Sequence, residues 1–197
     1  MAHHTYHTDA YVLGGINTGE SHRYVLLFTE DLGLIHAVVR SVRKEQSRLR
    51  YSLQEYSKTH TSLVRGRDVW RVTGAREHIN IYYELRLQKE RQALISRIHL
   101  LLRRLLHGEE ENRYLFSVLS EIYTALLDVE IDDRILDSLE CASVLRILHS
   151  LGYLTHDEKF TPLFQDTLFT KATLEHTRKI RSDAISEINR SLKASHL

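Results

Sequence analysis

One cysteine, one proline, one tryptophan and one methionine are all that the 197 residues contain of these four types. The single cysteine, Cys141, excludes an internal disulfide framework and a cysteine-based zinc finger within one chain. It stands near Leu139, Val144 and Leu145 in a helical pattern, which fits a buried structural thiol in a reducing compartment. No apolar run approaches the roughly 20 residues of a membrane span. The start of the chain lacks the apolar core of a secretory leader, so a soluble cytoplasmic protein is expected. Glycine is sparse and wrongly spaced for phosphate loops: Gly14, Gly15 and Gly19 match neither the dinucleotide nor the P-loop pattern. No Gly-x-Ser-x-Gly elbow exists. His3, His4 and His7 cluster on a chain end without fixed ligand geometry, and His99 falls beside an apolar helical stripe, where a packed imidazole is the default. The expectation is therefore no catalytic residue, no cofactor and no metal site.

Charge is also nearly absent as a total, yet not locally. The formal net charge is +1, but residues 40–107 hold sixteen bases against six acids and residues 108–140 two bases against ten acids. The chain is electrically bipolar along its length. The basic region opens with Arg40-Ser-Val-Arg43-Lys44-Glu-Gln-Ser-Arg48-Leu-Arg50, five cations against one anion. Such a loop either faces phosphate or is merely solvated. The acidic stretch reads as the wet side of two helices, or as a shield for the basic surface.

Hydrophobic periodicity divides the chain into two parts. Up to about residue 80, short strand patterns recur: Ala10–Leu13, His22–Thr29, Leu34–Val39, Tyr56–Arg65 and Asp68–Arg76, with Tyr24–Phe28 reading as a buried run. Five strands and no long helix suit a small closed barrel, of which the oligonucleotide/oligosaccharide-binding (OB) fold is one solution. From Ile81 the period becomes helical. Leu94, Ile95, Ile98, Leu101, Leu102 and Leu105 form one stripe, and Glu109–Glu111 open a second helix. A third runs from Asp132 or Asp133 to Leu151, and the last spans about Leu174–Leu192. The fold class is thus α+β with two domains: residues 1–80, an OB-fold nucleic-acid-binding barrel, and 81–197, an all-α helical domain. An irregular segment at about 155–170 carries Pro162.

The binding signal lies in the barrel half. Arg40, Arg43, Lys44, Arg48, Arg50, Arg65, Arg67 and Arg71 are the candidate phosphate contacts. Tyr51, Tyr56 and Trp70 are interleaved with them and are candidates to stack on bases. Tyr56 and Trp70 read equally as barrel core. Three functions fit: a DNA-binding mediator, an OB-fold RNA-binding protein, or a non-catalytic helical interaction scaffold.

The order of the pieces resembles the bacterial recombination mediator family RecO. The resemblance rests on Tyr11-Val-Leu, Gly19-Glu20-Ser21, Val25-Leu-Leu-Phe28-Thr29 and Leu32-Gly33-Leu34. It continues through Ala37-Val-Val-Arg-Ser-Val-Arg43-Lys44, Ser47-Arg48-Leu49, Leu53-Gln54 and Arg65-Gly66. Far downstream, Ser143-Val-Leu-Arg-Ile-Leu-His-Ser-Leu151-Gly152-Tyr153-Leu154 is similar to the family's helix ending in Leu-Gly-Tyr. Ser41 stands where the family usually has glycine, and His22 where an aspartate commonly follows Glu-Ser. The four-cysteine zinc motif that many members carry after Leu-Gly-Tyr is missing, so the resemblance is to a short, zinc-less member. It implies an OB domain joined to a helical domain and binding of single- and double-stranded DNA. It further implies annealing of complementary strands and help in loading RecA onto DNA coated by single-strand-binding protein (SSB). RecR and the acidic SSB tail are the implied partners, with action in the cytoplasm on the nucleoid. By the motif match, Arg43, Lys44 and Arg48 are the implied DNA contacts.

Overall fold

The structure, a computed structural model, describes residues 4–18, 22–40, 49–67, 69–128, 131–132, 135–155 and 157–194. It falls into two compact units. The first holds Met1–Arg86 together with Leu106–Asn112, and the second Leu87–Leu105 with Arg113–Leu197.

In the first unit, five strands follow one another: β1 (Thr5–Thr18), β2 (His22–Thr29), β3 (Gly33–Val39), β4 (Ser57–Arg65) and β5 (Trp70–Asn80). They close in the order β1-β2-β3-β5-β4, with β4 pairing back onto β1. All pairings are antiparallel except β3 with β5. This is the five-stranded OB barrel that the strand count suggested. Alternation explains its interior. Val25 and Leu27 of β2, Ile35, Ala37 and Val39 of β3, Leu63 of β4, and Trp70 and Val72 of β5 point inward and share one core with Ala10, Val12 and Leu53. The polar inward positions of β4 are satisfied: Thr61 Oγ1 donates to Thr8 O at 3.0 Å, and Thr59 Oγ1 to Arg76 O at 3.0 Å.

So small a barrel must bend its strands sharply, and bulges supply the bend. The β1–β2 register slips between Val12 and Gly14. The β4–β5 register slips twice, leaving Thr73 and His78 as extra residues on β5. At the β2–β3 turn Gly33 adopts φ +69°, and an added Cβ would sit 2.3 Å from the Glu110 carbonyl oxygen. The first unit also carries two single-turn helices, α1 (Leu49–Ser52) and α2 (Ile81–Glu84). Asn80 caps α2 by accepting from Tyr83 N–H.

The second unit contains α3 (Lys89–Leu105), α4 (Arg113–Leu127), α5 (Leu136–Ser150), α6 (Lys171–Lys179) and α7 (Arg181–Ala194), with a 3-10 turn at Glu158–Leu163 that includes Pro162. The stripe on α3 is buried as expected, with Leu94, Ile95, Ile98, Leu102 and Leu105 inside. Three expectations need correction. Glu109–Glu111 do not begin a helix; α4 starts at Arg113, and the acids lie in the segment that belongs to the barrel unit. The cap of α5 is Ile135, without a side-chain bond, while Asp133 lies outside the described residues. The final helix is two, broken at Ile180, so that Leu174 and Thr177 on α6 and Ala184 on α7 are each buried.

Buried arginines organise the connections. Arg146 on α5 has no exposed surface. Its guanidinium donates to the carbonyls of Leu163 (2.8 Å), Thr167 (2.6 Å) and Leu168 (2.9 Å), and lies 4.3 Å from the Phe169 ring centroid. The irregular segment is therefore wound around a cation. Arg91 does the same after α4, donating to Leu126 O, Asp128 O and Ile131 O. Cys141 is a buried thiol, its pKa pushed up by burial. No helix among the described residues is long and apolar enough to cross a membrane.

Candidate nucleic-acid interface

Cross-strand pairing lines up one outward row on the barrel. Ile16 pairs with Tyr24, Tyr24 with Val38, and Val38 with Arg71, so these four side chains stand on one face across β1, β2, β3 and β5. At a strand spacing of about 4.8 Å the row spans roughly 14 Å. Ile16 and Tyr24 are exposed (75% and 45%), because the alternation that turns Val25 and Leu27 inward turns this pair outward. An exposed aliphatic residue, a tyrosine and an arginine in line form a surface on which a base can stack while a phosphate is neutralised.

The same unit carries the described cations that the sequence picked out. Arg71 lies beside Gly66 in the β4–β5 turn, with its guanidinium within 3.8 Å of the position a Gly66 Cβ would take. Arg65 and Arg67 flank that glycine and are exposed. Arg40 follows the last residue of β3, and Arg50 lies on α1; both are exposed. Arg43, Lys44 and Arg48, together with Ser41, lie outside the described residues.

Arg23, which sequence reasoning passed over, crosses the top of β2. Its Nη1 donates to Leu53 O at 3.2 Å, and its Nε would lie 2.6 Å from a Cβ at Gly15. A Cβ at position 15 would also meet the Tyr24 carbonyl oxygen at 2.7 Å, so this close approach favours glycine. Arg23 thereby ties the end of the basic connection to the sheet.

The three aromatic candidates separate. Tyr51 on α1 is 61% exposed and adjoins Arg50, so its ring is accessible to a base. Tyr56 is half-buried in a left-handed backbone conformation (φ 70°), its ring stacked on Tyr82 at 4.9 Å. Trp70 is a correction: it is 5% exposed, belongs to the barrel core and packs edge-on against Tyr6. Its Nε1–H donates to Glu109 Oε1 at 2.9 Å, so this ring stabilises the barrel and offers no stacking face.

Glu109 also approaches Arg65 at 3.6 Å, with Arg65 itself over the Trp70 ring. The start of the acidic stretch thus sits on the basic surface and partly offsets one of its cations. Both partners are well exposed, so the pair is weak and open to competition by phosphate. The signal for Tyr24 and Ile16 was present in the alternation of β2 and its partner strand. It was obscured because Tyr24-Val-Leu-Leu-Phe28 reads as one apolar run.

Residues 1–77 match the family model described as Recombination protein O N terminal. Among curated proteins, the chain is 31% identical over 141 residues to DNA repair protein RecO of Exiguobacterium sp., covering 72% of this chain and 55% of that one. It is 31% identical over 153 residues to the RecO of Roseiflexus sp., covering 78% and 52% respectively. It is 36% identical over 87 residues to that of Dehalococcoides mccartyi, covering 43% and 34%. The chain thus spans about half the length, or less, of these three relatives (55%, 52% and 34%). The similarity extends beyond the barrel into the helical unit, and the chain belongs to the RecO family.

Proposed function

We propose that this chain is a DNA-binding recombination mediator. On this reading it neutralises and anneals complementary single strands and assists RecA loading onto SSB-coated DNA in recombinational repair. The observation that carries the reading is the outward row Ile16–Tyr24–Val38–Arg71, on a barrel that also exposes Arg40, Arg50, Arg65 and Arg67 and belongs to a family whose relatives are named DNA repair proteins. Two strands repel through their phosphates, and a basic face that engages both lowers that barrier with no covalent step. Half-exposed tyrosines and surface arginines give contacts that release as readily as they form. Annealing needs that property, since the duplex must leave. The mediator is non-catalytic, acts in the cytoplasm on the nucleoid, and has RecR and the acidic SSB tail as its partners.

The test is annealing of complementary oligonucleotides, bare and SSB-coated, followed by competition between matched single-stranded DNA and RNA. Acceleration that is lost in Tyr24→Ala/Arg71→Glu is expected. Equal binding to RNA with no annealing would replace this reading with RNA handling.

A further inference from the structure

On the far edge of the barrel, where β1, β4 and β5 meet, three ligand-type side chains converge. Asp9 of β1 lies opposite His60 of β4 in the register, and Asp9 Oδ1 is 2.8 Å from His60 Nδ1. His78 of β5 has its Nε2 3.5 Å from the same Asp9 oxygen. One ligand atom from each of the three residues falls within 4.8 Å of the other two. Arg76 is the cross-strand partner of His60, so strand alternation sets His78, two residues on, on the same face; the register slip between Lys58 and Thr59 leaves His78 there as an extra residue with no partner position of its own.

We propose that Asp9, His60 and His78 bind a divalent transition-metal ion of the zinc class, with solvent completing the coordination. Metal–nitrogen and metal–oxygen bonds of about 2.0–2.2 Å in a tetrahedron place neighbouring ligand atoms roughly 3.3 Å apart. The observed 2.8 and 3.5 Å bracket that spacing, so small side-chain rotations admit an ion. The donor set of two imidazoles and one carboxylate suits a borderline divalent cation rather than calcium or magnesium. Each side chain is 31–43% exposed, which leaves an entry path from solvent. The His7 ring lies parallel to His60 at 6.3 Å, and its Nδ1 is 3.0 Å from Ser62 Oγ, so a fourth side chain walls the site without being among its ligands. Ligands from three strands would pin the seam at which β4 closes onto β1.

Cobalt(II) titration of the full chain, read by the intense visible bands of low-symmetry four- or five-coordinate cobalt, tests the assignment. One saturable equivalent is expected, displaced by Zn²⁺, together with a rise in melting temperature of about 5 °C at a hundredfold excess over Kd. Asp9→Asn and His78→Ala, both at half-exposed positions, should fold with unchanged circular dichroism and lose the bands. The double variant His3→Ala/His4→Ala should keep them. Retention of the site in His78→Ala, its loss in the His3/His4 variant, or no saturable binding by the wild type would each overturn the proposal.

Discussion

His99 on α3 is 1% exposed, and its Nε2 lies 2.9 Å from the Tyr123 hydroxyl. Burial, with the Arg103 charge adding to it, pulls its pKa down from 6.5 to about 3, so the folded protein holds this imidazole neutral. The unfolded chain protonates near 6.5, so the stabilisation is intact above that pH. It is lost as pH falls toward 3, at up to about 1.4 kcal/mol per unit. His99→Gln, which keeps a hydrogen-bonding group for Tyr123, should flatten the acid limb of a stability–pH curve measured in urea; an unchanged slope would refute the assignment. Gly33 makes a second prediction. Its positive φ and the nearby Glu110 carbonyl both oppose a side chain, so Gly33→Ala should cost about 2 kcal/mol or more in a denaturant melt. At this scale the sequence was readable for His99, whose place in an apolar stripe announced burial. Trp70 was readable only as an even choice between core and contact, because its partner Glu109 lies 39 residues away and no local pattern connects them.

Elements were legible where one periodicity ran unbroken, as on α3, and illegible where tertiary packing cut across it. The break at Ile180 interrupts a continuous helical pattern because α6 and α7 each turn a side toward α5. The pairing of β4 with β5 leaves no mark in composition, so no local pattern connects His60 with His78. The segment around 155–170 read as irregular, and its order comes from Arg146. The guanidinium is fully buried and meets three backbone carbonyls, so its removal forfeits charge-assisted bonds and leaves those carbonyls without their donor. Arg146→Met should lower the stability of the helical unit by about 3 kcal/mol or more, seen as an early transition in thermal melts. Binding of single-stranded DNA should survive below that transition. Loss of DNA binding without loss of stability would contradict the clasp role.

At the scale of the molecule, electrostatics decides what can be measured. If five to seven cations engage single-stranded phosphates, log affinity should fall with log salt at a slope of about −3.5 to −5. Each charge removed by Arg40→Gln or Arg71→Gln should make that slope shallower by about 0.7, and a wild-type slope near zero would eliminate the phosphate surface. The regional charge count found the basic run of the barrel, but not a basic half: the cations of residues 40–107 are shared between the barrel and α3, and residues 109–111 return three acids to the barrel unit. It missed the return of residues 106–112 to the barrel unit, because the charge of a segment does not say which fold it joins. That return has a consequence for synthesis. Leu34 N–H donates to Gly108 O at 3.1 Å and Trp70 to Glu109, so the last contacts of the barrel are supplied by residues translated after all of α3. During vectorial synthesis the five strands can pair early, but Trp70 waits for its acceptor until the ribosome has passed residue 109. The barrel is finished only when the first helix of its neighbour has already left the exit tunnel.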